Sequence, residues 1–79
     1  MTDRQARVLE ATLAALQHTV GREEHMPLLM QLVENQVGPV TLAEIADALA
    51  SVDVNDRGPM WREEWAELIG TIRRAGRAA

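Results

Sequence analysis

The sequence predicts an all-α fold: four short helices, arranged as two helix–loop–helix units packed into one small bundle. Apolar residues recur at helical spacing in four segments, and glycine, proline and capping residues separate these segments. The apolar–polar alternation of a half-buried strand is not sustained anywhere in the chain. With 79 residues and no cysteine, the chain is predicted to form a single helical domain over residues 1–79, close to the smallest size that folds without a disulfide.

The first predicted helix spans about Asp3 to Val20 and starts with a capping box of Thr2 and Gln5. Its apolar stripe is formed by Val8 or Leu9, Leu13, Leu16 and Val20. The second predicted helix starts at Pro27, whose missing N–H is not needed in a first turn, and ends at Gly38. Because apolar residues cover a wide face of this second helix, we predict it to be the most buried of the four and a candidate homodimer interface.

The third predicted helix has the clearest start. Thr41 is a suitable N-cap, and Glu44 three residues later completes a capping box. Val40 and Ile45 flank the box at the positions of a hydrophobic staple, which fixes the direction from which the chain enters the helix. The predicted buried stripe of this helix is Ile45, Ala48, Leu49 and Val52.

The fourth predicted helix starts at Pro59, after a turn-like segment at residues 51–58 that is rich in Asp, Asn and Gly. One face of the helix carries the apolar residues Trp61, Trp65, Leu68 and Ile72. Charged residues complement the helix dipole, with glutamates in the early turns and arginines near the end: Glu63, Glu64, Glu67, Arg73, Arg74 and Arg77. Gly76 is predicted to fray the end of this helix.

The composition removes most catalytic chemistry. All eight basic residues are arginines, cysteine and tyrosine are absent, and Ser51 is the single serine, so covalent catalysis has few candidate nucleophiles. The net charge of −4 disfavours a nucleic-acid partner. No targeting segment and no membrane-spanning apolar run is visible. We therefore expect a soluble, cytoplasmic protein that is not an enzyme and does not associate with a membrane. We expect no cofactor, with calcium as the one possible exception.

Residues 53–64, Asp-Val-Asn-Asp-Arg-Gly-Pro-Met-Trp-Arg-Glu-Glu, resemble the twelve-residue calcium-binding loop of an EF-hand. Oxygen-bearing residues stand at the first, third and twelfth positions, as Asp53, Asn55 and Glu64. The resemblance implies that these three residues ligate calcium, Glu64 with both carboxylate oxygens. It also implies a helix–loop–helix unit over about residues 41–72.

The loop departs from the EF-hand family at its fifth position. Arg57 stands there in place of an oxygen ligand, and its positive charge repels a calcium ion. The other helix–loop–helix unit would use the connector at residues 19–26, which has no ligand pattern. The resemblance therefore implies a degenerate EF-hand whose calcium binding is impaired.

A second resemblance, to the helix-turn-helix core of winged-helix proteins, covers residues 28–49. Residues 28–37 and 42–49 would form its first two helices, and the helix from Pro59 to Arg77 would be the recognition helix. This resemblance implies a DNA-binding transcriptional regulator. The glutamates at the start of that helix disfavour DNA, because bases and phosphates are read mainly by polar and basic side chains.

These observations together predict a small non-enzymatic helical binding module that engages a protein partner as an adaptor or an inhibitor. The candidate partner-binding residues lie around the calcium-like loop and the start of the fourth helix: Asp56, Trp61, Glu63, Trp65 and Glu67. An alternative is an inhibitor of the phage type that acts through the same acidic face.

Overall fold

A computed structural model of the protein describes residues 2–19, 22–52 and 59–78 and, within these ranges, all side chains except those of residues 59–61 and 78. The chain order is α1 (Asp3–Ala15), a 3₁₀ turn (Glu23–His25), α2 (Met26–Val37), α3 (Leu42–Ala50) and α4 (Pro59–Ala78). The described ranges contain no strand, which confirms the predicted all-α fold of four helices. α3 packs against both α1 and α4, and α1 also packs against α2.

α1 is shorter than predicted, and its buried stripe agrees with the predicted one only in part: Val8 is buried and Leu16 packs half-buried against the core, whereas Val20 lies outside the described residues. Thr2 caps it as expected, since its hydroxyl accepts a hydrogen bond from the Gln5 N–H at 3.1 Å. The helix ends at Ala15 rather than Val20, and residues 16–18 form turns. The buried residues are Val8, Ala11, Thr12 and Ala15, whereas the predicted stripe member Leu13 is 42% exposed. The next positions on the buried face are His18 and Thr19, which are polar, so the apolar stripe of α1 does not continue beyond Ala15.

α2 starts at Met26, one residue earlier than predicted, so that Pro27 lies in its first turn, and it ends as predicted, with Gly38 immediately after its last residue at a φ of 84°. The prediction that α2 is the most buried helix is wrong. It buries Met26, Leu29 and Val33 and leaves Leu28 43% exposed. α3 is more completely enclosed because it lies between α1 and α4, and its residues Ile45, Ala46, Ala48 and Leu49 are fully buried.

The start of α3 forms half of the predicted capping box. The Thr41 hydroxyl accepts a hydrogen bond from the Glu44 N–H at 3.1 Å, as an N-cap should. The Glu44 carboxylate does not turn back to Thr41 but accepts a hydrogen bond from Arg4 Nε at 3.2 Å. Arg4 Nη2 also donates to the Pro39 carbonyl at 2.7 Å, so one arginine joins the start of α1 to the turn before α3. Val40 and Ile45, the staple residues, are both buried.

α4 continues through Gly76 to Ala78, so the predicted fraying at Gly76 does not occur. The end of α4 is held against the start of α3: a Cβ atom added to Gly76 would lie 3.3 Å from Leu42 Cβ. Ile72 is fully buried, and Trp65 and Leu68 pack half-buried against the core, as the apolar stripe predicts. The side chain of Trp61 lies outside the described residues. No helix among the described residues is long and apolar enough to cross a membrane.

Candidate functional site

The 3₁₀ turn before α2 lies against α4 and forms a cleft with it, which we call the acidic cleft. Its lining contains four carboxylates, two guanidinium groups and two smaller side chains: Glu23, Glu24, Glu64, Glu67, Arg22, Arg74, Leu68 and Thr71. Four negative and two positive groups leave a formal charge of −2 on this lining. The cleft is therefore negatively charged around a small apolar patch.

Helical periodicity explains how α4 lines the cleft. Four residues of α4 line the cleft, each three or four positions from at least one other: Glu64, Glu67, Leu68 and Thr71. Residues at these spacings share one side of a helix. The Thr71 hydroxyl donates to the Glu67 carbonyl at 3.0 Å and accepts from Arg74 Nη2 at 3.2 Å. Thr71 thereby holds the Arg74 guanidinium beside the cleft, at the end away from Glu64.

Sequence reasoning missed the second wall of the cleft. It treated residues 19–26 as a charged connector without a ligand pattern, although Glu23 and Glu24 stand next to each other there. Both side chains are exposed, and the fold brings them to the same cleft as Glu64 and Glu67, which lie 40 to 44 residues further along the chain. Charge patterning alone marks the connector as acidic, but the contact between the 3₁₀ turn and α4 depends on tertiary packing.

The predicted partner-binding residues fall into three groups. Glu63 and Glu67 are exposed on α4, and Glu67 lines the acidic cleft. Trp65 lies on a different face of α4: it is half-buried, and its indole Nε1 donates to the Leu49 carbonyl at 3.0 Å. It therefore serves the packing of α4 on α3. Asp56 and the side chain of Trp61 lie outside the described residues.

The predicted calcium ligands are divided in the same way. Glu64 is exposed on the second turn of α4, whereas Asp53, Asn55 and the departing residue Arg57 lie outside the described residues. Residues 59–61, the seventh to ninth positions of the predicted loop, are already helical. Within the described part of the chain, no three His, Asp or Glu side chains are placed to hold one metal ion. The calcium site stays a prediction.

The arginines at the end of α4 form a basic region that adjoins the acidic cleft at Arg74. Arg73, Arg74 and Arg77 are all exposed, and Arg73 Nη2 lies 3.4 Å from an Asp47 carboxylate oxygen on α3. The described part of α4 is thus acidic in its first half and basic in its second half. A recognition helix for DNA would carry its basic and polar groups toward its first turns instead.

No family model, no curated protein and no solved structure matches this chain.

Proposed function

We propose that this chain is a small non-enzymatic binding module that engages a protein partner, as an adaptor or inhibitor, through the acidic cleft. The observation that carries the proposal is the convergence of Glu23 and Glu24 with Glu64 and Glu67 around the half-buried Leu68. These five side chains come from two elements that are distant in sequence. Their chemistry offers negative charge, hydrogen-bond acceptors and an apolar contact, which suit recognition of a basic partner.

The chemistry of the cleft defines the partner. A segment that carries arginine or lysine side chains around one apolar side chain would match both its charge and its apolar patch. Exposed ion pairs contribute little free energy each, typically about 0.2–1 kcal/mol, so several must act together. They also accelerate association at low salt. We therefore expect binding that weakens strongly as the salt concentration rises.

The helix that presents the cleft is firmly attached to the rest of the protein. Trp65 bonds α4 to the end of α3 through the Leu49 carbonyl, and Ile72 is buried in the core one turn beyond Leu68. A surface on a rigid helix loses little conformational entropy when a partner binds. This support favours α4 as a binding element.

The proposal can be tested by affinity capture from extracts of the source organism, using the native chain and a Glu64→Gln/Glu67→Gln variant. We expect one stoichiometric partner to be recovered by the native chain and lost with the variant. Glu10→Gln, a change of the same chemistry on an exposed α1 residue, is the matched control and should retain the partner. A titration of the purified partner should then show at least about a tenfold weaker dissociation constant for the double variant, which is about 1.4 kcal/mol.

Two alternatives give different results in parallel assays. A DNA-binding regulator would retard duplex DNA in a manner that weakens with salt and requires Arg73, Arg74 and Arg77. A working calcium loop would change the tryptophan fluorescence at micromolar calcium, and Glu64→Gln would remove that change. Capture of a partner that depends equally on Glu10 and on the cleft glutamates would contradict the proposed site.

A further inference from the structure

The exposed face of α4 carries charges in an order that suits a second copy of the same helix. Five residues at alternating spacings of four and three share this face, opposite the buried Ile72: Glu63, Glu67, Gly70, Arg74 and Arg77. At 100° per residue they lie within an arc of about 80°. We call them the outer stripe of α4. Its four charged side chains are exposed, and Gly70 is half-buried.

The stripe is close to antisymmetric about Gly70. Glu63 lies seven residues before Gly70 and Arg77 seven residues after it, while Glu67 lies three before and Arg74 four after. Two antiparallel copies of α4 that cross at Gly70 would place Glu63 beside Arg77 of the other copy and Glu67 beside its Arg74. The same two contacts would occur twice, as an isologous two-fold interface requires.

Within one helix, these charges are poorly arranged. Neighbours on the outer stripe have the same sign, since Glu63 and Glu67 are four residues apart and Arg74 and Arg77 three apart. Glu67 and Arg74 are separated by about 10 Å along the axis, too far to pair. The helix dipole does not account for the whole pattern, because it acts within the first and last turns and Glu67 is the ninth residue of α4. An antiparallel partner would place an opposite charge beside each of these like-charged neighbours.

The centre of the stripe permits a close approach. Gly70 has no side chain, and the atom nearest to a Cβ built there is Arg74 Nη1 at 3.4 Å, the end of a flexible side chain. In the single chain, the Arg74 guanidinium thus lies over Gly70 and bonds to Thr71. Rotation of this side chain would uncover Gly70 and bring the guanidinium toward a carboxylate across the interface.

We infer from this pattern that the protein forms a weak antiparallel homodimer through the outer stripe of α4. A crossing of two helices buries less than the ~1,200 Å² typical of stable interfaces, and the contact is mainly ionic, so the dimer is expected only at high protein concentration and low salt. The inference does not depend on the proposed protein partner. It does use Glu67 and Arg74, which also line the acidic cleft, so dimer formation and partner binding would compete.

The first test is sedimentation equilibrium with two charge-reversed variants, Glu63→Arg/Glu67→Arg and Arg74→Glu/Arg77→Glu. The native chain should approach twice its mass of 8.7 kDa at low salt and return to 8.7 kDa at 1 M salt, where the screening length is about 3 Å. Each variant alone should associate at least about tenfold more weakly, because like charges then face each other. An equimolar mixture of the two variants should restore the double mass, since an all-basic stripe would meet an all-acidic one.

A second test remains informative if a charge-reversed variant fails to fold. The chain has no cysteine, so Gly70→Cys introduces a single thiol at the predicted two-fold axis. Mild oxidation should give a disulfide-linked dimer, and the control Gln31→Cys, at an exposed position on α2, should not. Either of two results would overturn the inference: equal cross-linking of the two variants, or a native chain that stays monomeric at every concentration in low salt. The outer stripe would then bind a different partner. A dimer that persists unchanged at 1 M salt would also overturn the inference, because an apolar interface would then be responsible.

Discussion

Trp65 illustrates how one side chain joins two elements. Its ring packs against the core, and its Nε1 donates to the Leu49 carbonyl in the last turn of α3. That carbonyl also accepts from the Val52 N–H at 3.2 Å, so it keeps one partner if the indole is lost. The contribution of the indole hydrogen bond should therefore be that of an ordinary bond, not that of an orphaned buried group.

We predict that Trp65→Phe lowers the free energy of unfolding by about 1–2 kcal/mol, from the lost hydrogen bond and the smaller ring. Urea denaturation followed by far-UV circular dichroism measures this change. Replacement of Trp65 by benzothienylalanine, which keeps the ring shape and lacks the N–H, should cost only about 0.5–1.5 kcal/mol. If the benzothienylalanine chain is as stable as the native chain, the hydrogen bond does not contribute.

At the scale of the element, the two threonine caps provide a matched pair. Thr2 and Thr41 both accept a 3.1 Å hydrogen bond from the N–H three residues later, yet they start helices in different surroundings. Thr2 starts α1 at the surface, where residues 2–4, 6 and 7 are exposed. Thr41 starts α3, which is buried between α1 and α4 and cannot fray without opening the core.

We expect Thr41→Ala to cost about 1 kcal/mol, the usual value of an N-cap. In a chain of this size, that change lowers the melting temperature by about 4–8 °C. Thr2→Ala should cost less, because the first turn of α1 is exposed and can fray without opening the core, at the cost of the exposed Arg4 contacts alone. Thr41→Ser should remain close to the native chain. Thermal melts of the three variants check this order, and an equal loss for Thr2→Ala and Thr41→Ala would show that the surroundings of the cap do not matter.

At the scale of the whole molecule, the core is small and made almost entirely of aliphatic side chains. Its largest fully buried members are Leu29, Ile45, Leu49 and Ile72, which come from α2, α3 and α4. A protein of this size gains only about 3–5 kcal/mol from a single core. A single core truncation can therefore approach the total stability of the fold.

We predict that Ile72→Ala destabilises the chain by about 2–5 kcal/mol and leaves a large unfolded fraction at room temperature. Ile72→Val, which removes one methylene, should cost about 0.5–1.5 kcal/mol and keep the native fold. Urea titrations of both variants give the comparison. A native-like Ile72→Ala would mean that α4 does not need this contact to stay attached.

The acidic cleft also belongs to the scale of the whole molecule. Glu63, Glu64 and Glu67 could be recognised from the sequence as an acidic start of the fourth helix. Glu23 and Glu24 could not be assigned to the same site, because no local sequence pattern predicts the contact between the 3₁₀ turn and α4. Half of the candidate site was thus open to sequence reasoning, and the other half required the packing of the helices.

The sequence by itself determined the fold class, the number of helices and where they begin. Helix starts are marked by local effects that do not depend on the rest of the fold. Thr2 and Thr41 accept a hydrogen bond from a backbone N–H of the first turn, and the rings of Pro27 and Pro59 fix φ at a value that suits a first turn. Only the tertiary structure decided which side of α1 is buried and where that helix ends. α1 buries the small residues Ala11, Thr12 and Ala15, which let the neighbouring helices approach closely, and leaves Leu13 exposed. The buried Thr12 hydroxyl donates a hydrogen bond to the Val8 carbonyl at 2.7 Å. Whether a side chain is buried depends on the helices packed against it, so the hydrophobicity of one segment alone does not predict which of its faces is buried.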